Sequence, residues 1–256
     1  MKARNSVLAK SLTTGLFFLA LIALWLTLSN STAVPEYVLP SPGRVLTTLL
    51  EDKSILWSHA EETLKEWAVG LGLSVILALM LSWLAFASSK FSAFLQRILV
   101  VSQSVPYLTI APLLLLWLGL GAAPKIVLIL LTCTFPVAQL TLSGLISAQK
   151  EFAILATVLR LEKQRALRLI YVPAALPDFF EGVKISVTYA FVSSVMAELI
   201  GSEAGLGVYL SRAQSAYRTD RVMAAVLLIV LFSLLCTWCV ELISKKVLFW
   251  RINQSV

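Results

Sequence analysis

The residues whose types and spacing most suggest chemistry are Cys236 and Cys239, which form a Cys-x-x-Cys pair, and His59, the single histidine. A cysteine pair serves in redox or metal chemistry when its thiolates are accessible in a polar setting. These two cysteines fall inside a long apolar run, and His59 has no second ligand nearby in the sequence. We therefore expect packing for the cysteines, a surface or interfacial position for His59, and neither a metal nor a cofactor.

Phosphate-binding loops are the next candidates, because ATP-dependent chemistry would require one. The sequence contains no Gly-x-x-x-x-Gly-Lys-[Ser/Thr] loop, the motif whose backbone amides and lysine hold phosphates. Gly201, Gly205 and Gly207 follow no strand and therefore predict a turn or re-entrant loop rather than a dinucleotide site. We predict no catalytic residue in this chain, which is expected not to be an enzyme.

The composition indicates that much of the chain lies in a lipid bilayer. Hydrophobic residues make up 59% of the chain and charged residues 14%, and the mean hydropathy is +0.87. A soluble domain is about 45–50% apolar and about 25% charged, so the bilayer must be part of the solvent here. A spanning helix needs about 20 mostly apolar residues. Six runs meet this requirement: 12–29, 68–87, 98–118, 126–146, 185–200 and 222–243.

The predicted fold class is therefore all-α, a polytopic membrane helix bundle of about six transmembrane helices. We predict one transmembrane domain over residues 1–256, with a core over 60–245. With the N-terminus in the cytoplasm, 14 of the 21 lysines and arginines fall on the cytoplasmic side and 7 outside. Because basic residues accumulate in cytoplasmic loops, both termini are predicted to be cytoplasmic. This topology accounts for most of the net charge of +7, so nucleic-acid binding is not expected.

Two connecting segments have helical patterns of their own. In the outer segment 30–67, apolar residues at 45, 46, 49 and 50 predict a helix lying on the outer membrane surface. The longest inner loop, 147–181, is predicted to be an amphipathic helix that stops at Pro173 and Pro177. Two interpretations of this loop remain open: a membrane-surface helix with basic residues facing lipid headgroups, or a docking helix for a cytoplasmic partner.

Polar side chains in the third run are the first candidates for a translocation path. Ser102, Gln103 and Tyr107 lie where Pro106 interrupts that run. Irregular backbone at membrane depth must face protein or water, and broken helices in transporters commonly line the path. Tyr189 in the fifth run is a further candidate. Ordinary hydrogen bonding between helices is the alternative for all four.

Glu198 lies near the outer end of the fifth run, where a carboxylate is costly and usually faces a cavity or a partner. It could contact substrate, cap a gate, or pair with Arg212 or Arg218. A secondary transporter driven by an ion gradient would favour inverted repeats and several buried ionisable residues, and Glu198 is nearly the only clear one. A membrane-embedded enzyme such as a lipid transferase would need clustered Asp, Glu or His, which the sequence lacks.

Residues 154–173 read Ile-Leu-Ala, three residues, Arg, nine residues, Ile-Tyr-Val-Pro. This pattern resembles the EAA loop of ATP-binding cassette importer permeases: Glu-Ala-Ala, three residues, Gly, nine residues, Ile, one residue, Leu-Pro. The second Ala is kept as Ala156, the Ile as Ile170 and the Pro as Pro173. The sequence departs from the pattern at Ile154, Leu155, Arg160 and Val172. The position of this segment between the fourth and fifth of six spans strengthens the resemblance.

Other segments extend the likeness over most of the chain. Leu-Pro-Ser-Pro at 39–42, Ser-Gln-Ser-Val-Pro at 102–106, Trp-Leu-Gly-Leu-Gly at 117–121 and Ala-Glu-Leu-Ile-Gly at 197–201 look like the sulfonate, nitrate and taurine branch of these permeases. Within that branch, the residues at 179–184, 188–189 and 219–222 most resemble permeases for the pyrimidine precursors of thiamine.

The resemblance implies a type I importer in the cell inner membrane. Two permease copies would form the path, cytoplasmic ATP-binding cassette ATPases would power it, and an extracytoplasmic substrate-binding protein would deliver the solute. The inner loop 147–181 would be the coupling segment, in which Ala156, Arg160, Ile170 and Pro173 are the candidate ATPase-coupling residues. The implied cargo is a precursor of the hydroxymethylpyrimidine type, with sulfonate or taurine, nitrate and riboflavin as alternatives.

Overall fold

The computed structural model describes residues 16–17, 19–31 and 35–252, apart from the side chains at 103, 108, 251 and 252. Throughout this described part the regular structure is helical and no strand is present, which confirms the predicted all-α class. The helices, in chain order, are α1 (Leu19–Ser29), α2 (Pro42–Glu51), α3 (Lys53–Ala87), α4 (Ser89–Gln103), α5 (Tyr107–Leu118), α6 (Ala122–Val158), α7 (Lys163–Ala166), α8 (Val172–Gly201), α9 (Leu206–Ser215), α10 (Thr219–Val247) and α11 (Phe249–Ile252).

Four helical stretches are long and apolar enough to cross a membrane: α3, α6, the stretch Lys163–Gly201 that contains α7 and α8, and α10. The first predicted run, 12–29, contains α1, but its residues 12–15 and 18 lie outside the described residues. The third predicted run is two helices rather than one. Helix α4 ends before Ser104 and α5 starts after Pro106, whose extended backbone caps α5.

The helices extend beyond the apolar runs that predicted them. Helix α3 begins at Lys53, well before the predicted start at residue 68. The ion pair of Lys65 with Glu61, at 2.8 Å, joins residues four apart on its polar surface, a spacing that supports helix in water. Helix α2 confirms the helix predicted around residues 45–50, and its placement on the membrane surface stays a prediction. The hydroxyl of Ser41 accepts a hydrogen bond from the Arg44 N–H at 3.2 Å and caps its start.

The inner segment 147–181 differs from its prediction. Helix α6 runs through most of the first half of this segment and ends at Val158. A second helical stretch starts at Lys163. The predicted stop at Pro173 and Pro177 is wrong, because helix continues past both prolines to Gly201. A π-helical turn, Leu167–Tyr171, ends two residues before Pro173. This wider turn changes the hydrogen-bond register at the point where the proline ring would otherwise clash with the preceding turn.

The described residues divide into two compact units. The smaller unit comprises the residues up to Trp57 together with Tyr209–Leu228, and the larger unit comprises Ser58–Val208 and the residues from Ile229 onward. The single domain over 1–256 with a core over 60–245 stays a prediction.

The smaller unit is held by buried acids that join its two chain segments. The hydroxyl of Tyr209 donates to Asp52 at 2.6 Å, and Arg221 pairs with the same carboxylate at 2.8 Å. Burial and the neighbouring Asp52 carboxylate raise the pKa of Tyr209, so its hydroxyl stays a donor. Arg218 makes a two-pronged contact with Asp220, at 2.9 and 2.8 Å, the strong geometry for a guanidinium and a carboxylate.

The larger unit is built around the contact between α6 and α8. Gly182 of α8 lies so close to the backbone of Pro136 and Val137 that a side chain there would collide with it. Small residues at such crossings let helices in membranes approach closely. Near this core, Cys236 of α10 packs at the edge of a buried cluster that includes Phe191. Its neighbour in the Cys-x-x-Cys pair, Cys239, is exposed on the same apolar helix.

Candidate functional site

The larger unit contains a cavity of about 800 Å³ between α5, α6 and α8, which Val100 of α4 also lines. Most of its wall is aliphatic. The polar and aromatic residues of the wall are Tyr107, Thr132, Phe135, Gln139, Tyr189 and Ser193. Among the described residues that line this cavity, none carries a charge.

The break between α4 and α5 positions one side of the cavity. Pro106 lacks an N–H and starts α5, so the helix direction changes just before Tyr107. The hydroxyl of Thr109 donates back to the Pro106 carbonyl at 2.7 Å and secures this start. Tyr107 and Tyr189 both line the cavity, and the Tyr107 hydroxyl lies beside Ser102. The structure thus brings together three of the path residues predicted from the sequence.

The polar groups on the opposite wall were not predicted. Thr132 and Ser193 join α6 to α8 through a contact of 2.8 Å between their hydroxyl oxygens. The side-chain oxygen of Gln139 is buried without a hydrogen-bond partner among the described residues. Thr132 and Gln139 are seven residues apart and therefore share a helix face. That spacing is the sequence signal that could have found them. Gln103, the remaining predicted path residue on α4, has a side chain outside the described part.

Glu198 is placed away from the cavity wall. It is 1% exposed, and its carboxylate accepts hydrogen bonds from the Thr63 hydroxyl and from the Gly207 N–H, both at 2.7 Å. The carboxylate therefore meets the N-terminus of α9, where backbone N–H groups and the helix dipole favour an anion. Arg218, one of the partners considered for Glu198, pairs with Asp220.

Three successive N–H groups of one turn are held by side chains. We call residues 205–207 the glycine turn. The N–H of Gly205 donates to His59 Nδ1 at 3.0 Å, and the Leu206 N–H donates to the Thr63 hydroxyl at 2.9 Å. Gly205 has a φ of +124°, and a side chain there would overlap the Glu198 carboxylate. Glycine is required on both grounds. His59 thus takes part in a structural contact.

The inner connection between α6 and α7 contains Arg160, which stands at the Gly position of the importer pattern. Arg160 adopts a left-handed conformation, with a φ of +49°. Its N–H donates to the Thr157 carbonyl and the Leu161 N–H to the Ala156 carbonyl, each at 3.0 Å. This is the hydrogen-bond pattern that ends helices at a left-handed residue, where glycine is most common. The residue at the pattern's Gly position therefore has a backbone conformation that favours glycine, although it is arginine here.

The residues that match the pattern are buried or partly buried. Ala156 is buried against Ala148, Ala166 and Tyr171, with the partly buried Ile170 packed at the same cluster. Pro173 is also partly buried. By contrast, the following apolar residues are exposed and together form what we call the inner apolar patch: Ile154, Leu155, Val158, Leu159 and Leu169. Ile154 and Val158, one helical turn apart, are 79% and 73% exposed.

The model of one protein family matches residues 70–249, most of the chain. Its description is "binding-protein-dependent transport system inner membrane component". The chain belongs to this family. A probable ABC transporter permease protein of Haemophilus influenzae is 36% identical over 84% of this chain and 87% of its own length. The chain is accordingly a permease subunit of an ATP-binding cassette importer.

Two further relatives carry different substrate descriptions. The formylaminopyrimidine transport permease protein ThiX of Halalkalibacterium halodurans is 28% identical over 93% of this chain and 96% of its own length. The putative aliphatic sulfonates transport permease protein SsuC of Bacillus subtilis is 30% identical over 90% of this chain and 84% of its own length. Overall identity therefore does not separate a pyrimidine cargo from a sulfonate.

The fold of the permease is shared with a solved importer. The inward-facing MetNI methionine ABC transporter matches with a TM-score of 0.67, over 77% of this chain and 98% of the matched chain. The sequence identity is 17%, so the likeness concerns the fold alone.

Proposed function

We propose that this importer permease moves a thiamine precursor of the hydroxymethylpyrimidine type into the cell. The likeness of residues 179–184, 188–189 and 219–222 to pyrimidine-precursor permeases supports this cargo, and so does the relative described as a formylaminopyrimidine permease. Sulfonate or taurine, nitrate and riboflavin are the competing cargoes within the same class.

The permease works with three kinds of protein partner. Cytoplasmic ATPases hydrolyse ATP, an extracytoplasmic binding protein delivers the solute, and a second permease copy completes the path as a homodimer. The chain is a multi-pass protein of the cell inner membrane with both termini in the cytoplasm. The excess of basic residues on that side, 14 against 7, supports this orientation.

The observation that carries the importer function is the inner apolar patch beside the left-handed turn at Arg160. Five large apolar side chains are exposed on a segment predicted to lie in the cytoplasm, and an exposed patch of this kind indicates a docking site. In this proposal Ile154 and Val158 contact the ATPase, and Arg160 pairs with one of its acidic groups. The segment is held in its conformation by the packing of Ala156, Ile170 and Pro173.

The energy of ATP binding is then transmitted to the permease by rigid-body movement. ATP holds the two ATPases together, and the coupling segments, each seated on one ATPase, move with them. The ATP-bound arrangement binds the outward-open permease better than the inward-open one, so it shifts the population toward the outward-open state. Within the segment, the π-helical turn at Leu167–Tyr171 joins α7 to α8, which forms one wall of the cavity.

The experiment is an uptake assay in the source organism, comparing a deletion strain with the same strain complemented by the gene. We expect uptake of labelled hydroxymethylpyrimidine to require the gene and ATP, and to continue when an ionophore collapses ion gradients while glycolysis maintains ATP. If the deletion leaves pyrimidine uptake unchanged but abolishes uptake of taurine, nitrate or riboflavin, then that solute is the cargo instead of the pyrimidine. Uptake that stops with the ion gradient would indicate a secondary transporter.

A further inference from the structure

We infer that the cavity between α5, α6 and α8 is itself a binding site that accepts a flat, uncharged, hydrogen-bonding ring and rejects anions. The permease would then select its cargo a second time, after the binding protein. This inference rests on the proposed function and states which kind of cargo the translocation path accepts.

The charge of the wall is the first argument. No charged side chain occurs among the described residues that line the cavity. Lys125 is buried in the same unit, but its ammonium group pairs with Glu66. A desolvated anion without a partner of opposite charge is strongly disfavoured. A sulfonate or nitrate would meet this penalty, whereas a neutral ring would not.

The aromatic residues are the second argument. Tyr107, Phe135 and Tyr189 contribute rings from three different helices to one cavity. Aromatic side chains bind flat ligands through stacked or edge-to-face contacts. The volume of about 800 Å³ falls within the range of small-molecule sites and leaves room for a single heterocycle to turn and leave.

The polar groups supply the third argument. Gln139 lines the cavity, and its side-chain oxygen is buried without a hydrogen-bond partner in the described part of the chain. An unpaired buried acceptor is unfavourable, so a cargo that donates an N–H there gains affinity. The Thr132 and Ser193 hydroxyls, which contact each other at 2.8 Å, give a second polar point on the same wall. A ring with an amino group and a ring nitrogen matches such a wall.

The test measures equilibrium binding of labelled hydroxymethylpyrimidine to the permease–ATPase complex in lipid nanodiscs, without the binding protein. We expect Gln139→Leu to weaken binding about tenfold, through loss of one hydrogen bond. Thr141→Val is the matched control, because the Thr141 hydroxyl is also buried on α6 without a described partner but does not line the cavity. Its affinity should stay within about twofold of the unsubstituted protein.

Competition supplies the second measurement. Methanesulfonate and nitrate should not displace the pyrimidine. Equal binding by Gln139→Leu and the unsubstituted protein, or displacement by methanesulfonate at comparable concentrations, would overturn the inference. Gln139→Asn, which keeps an amide but shortens it, provides the measurement if Gln139→Leu does not assemble. ATP-driven pyrimidine uptake that is indifferent to Gln139 would leave the proposed function intact, whereas absence of gene-dependent uptake would remove the proposed function itself.

Discussion

The hydroxyl of Thr63 and the carboxylate of Glu198 are 2.7 Å apart, and together they hold the glycine turn. Thr63 donates to the carboxylate and accepts from the Leu206 N–H, while Glu198 accepts from the Gly207 N–H. One buried acid thus ties the end of α8 to α3 and to the start of α9. The two hydrogen bonds that reach this buried carboxyl group both come from donors, which offsets part of the cost of burying it.

This arrangement predicts a strong response to substitution at Gly205. Gly205→Ala places a side chain on backbone at a φ of +124° and against the Glu198 carboxylate. The backbone conformation alone should lower the free energy of unfolding by about 1–3 kcal/mol. Gly72→Ala on α3 is the control, since a side chain there meets nothing within 4 Å, and it should stabilise by about 0.5–1 kcal/mol. Denaturant unfolding in detergent measures both; equal effects would contradict the prediction.

Much of the fold could be predicted because apolar run length is a direct physical requirement of the bilayer. Helix α2 could be predicted as well, from the spacing of the apolar residues at 45, 46, 49 and 50. The helix through Pro173 could not, because the π-helical turn before it depends on hydrogen-bond register rather than on composition. The extension of α3 back to Lys53 was missed for a related reason, since a count of apolar residues does not register ion pairs along a polar helix surface.

The site was predicted in part for similar reasons. Tyr107 and Tyr189 stood out as polar residues in apolar runs, and the break at Pro106 indicated a cavity. Thr132 and Ser193 were missed because small hydroxyl residues are common in membrane helices and become conspicuous only when two helices bring them to 2.8 Å. Glu198 was correctly singled out as unusual, but only the fold reveals that its carboxylate faces the glycine turn.

Substitutions of Arg160 can distinguish the effect of its backbone conformation from the effect of its side chain. Arg160→Gly keeps the left-handed conformation, so we expect the free energy of unfolding to stay unchanged or to rise by up to about 1 kcal/mol. If the guanidinium pairs with the ATPase, the same variant should lower ATP-driven uptake, and Arg160→Glu should lower it further. Arg165→Glu is the control for charge reversal nearby. Unimpaired transport and complex assembly in Arg160→Glu would refute the pairing.

Substitutions in the inner apolar patch and at the buried Ala156 should distinguish ATPase docking from stability of the permease. Ile154→Ser removes an exposed apolar group, so we expect unchanged stability of the permease, within about 0.5 kcal/mol, but weaker ATPase association. Ala156→Leu overfills a buried position and should destabilise the permease by about 1–3 kcal/mol. Co-purification of the ATPase and thermal unfolding of the permease distinguish the two effects. Normal ATPase association by Ile154→Ser combined with Val158→Ser would exclude this patch as the docking surface.

The buried pair of Glu66 and Lys125 offers a test of electrostatics inside the larger unit. Both side chains are buried, and the second oxygen of Glu66 has no partner among the described residues. Lys125→Met leaves a buried carboxylate unpaired and should cost about 3–5 kcal/mol. The double variant with Glu66→Gln should lose less stability than that single variant, because neither charge then remains. Lys65→Met, which breaks an exposed pair on the same helix, should cost much less than Lys125→Met, because water screens an exposed pair. Thermal unfolding in nanodiscs compares five proteins: the unsubstituted permease, Lys125→Met, Glu66→Gln, the double variant and Lys65→Met. A double variant whose loss of stability equals the sum of the losses of Lys125→Met and Glu66→Gln would mean that the two charges act independently.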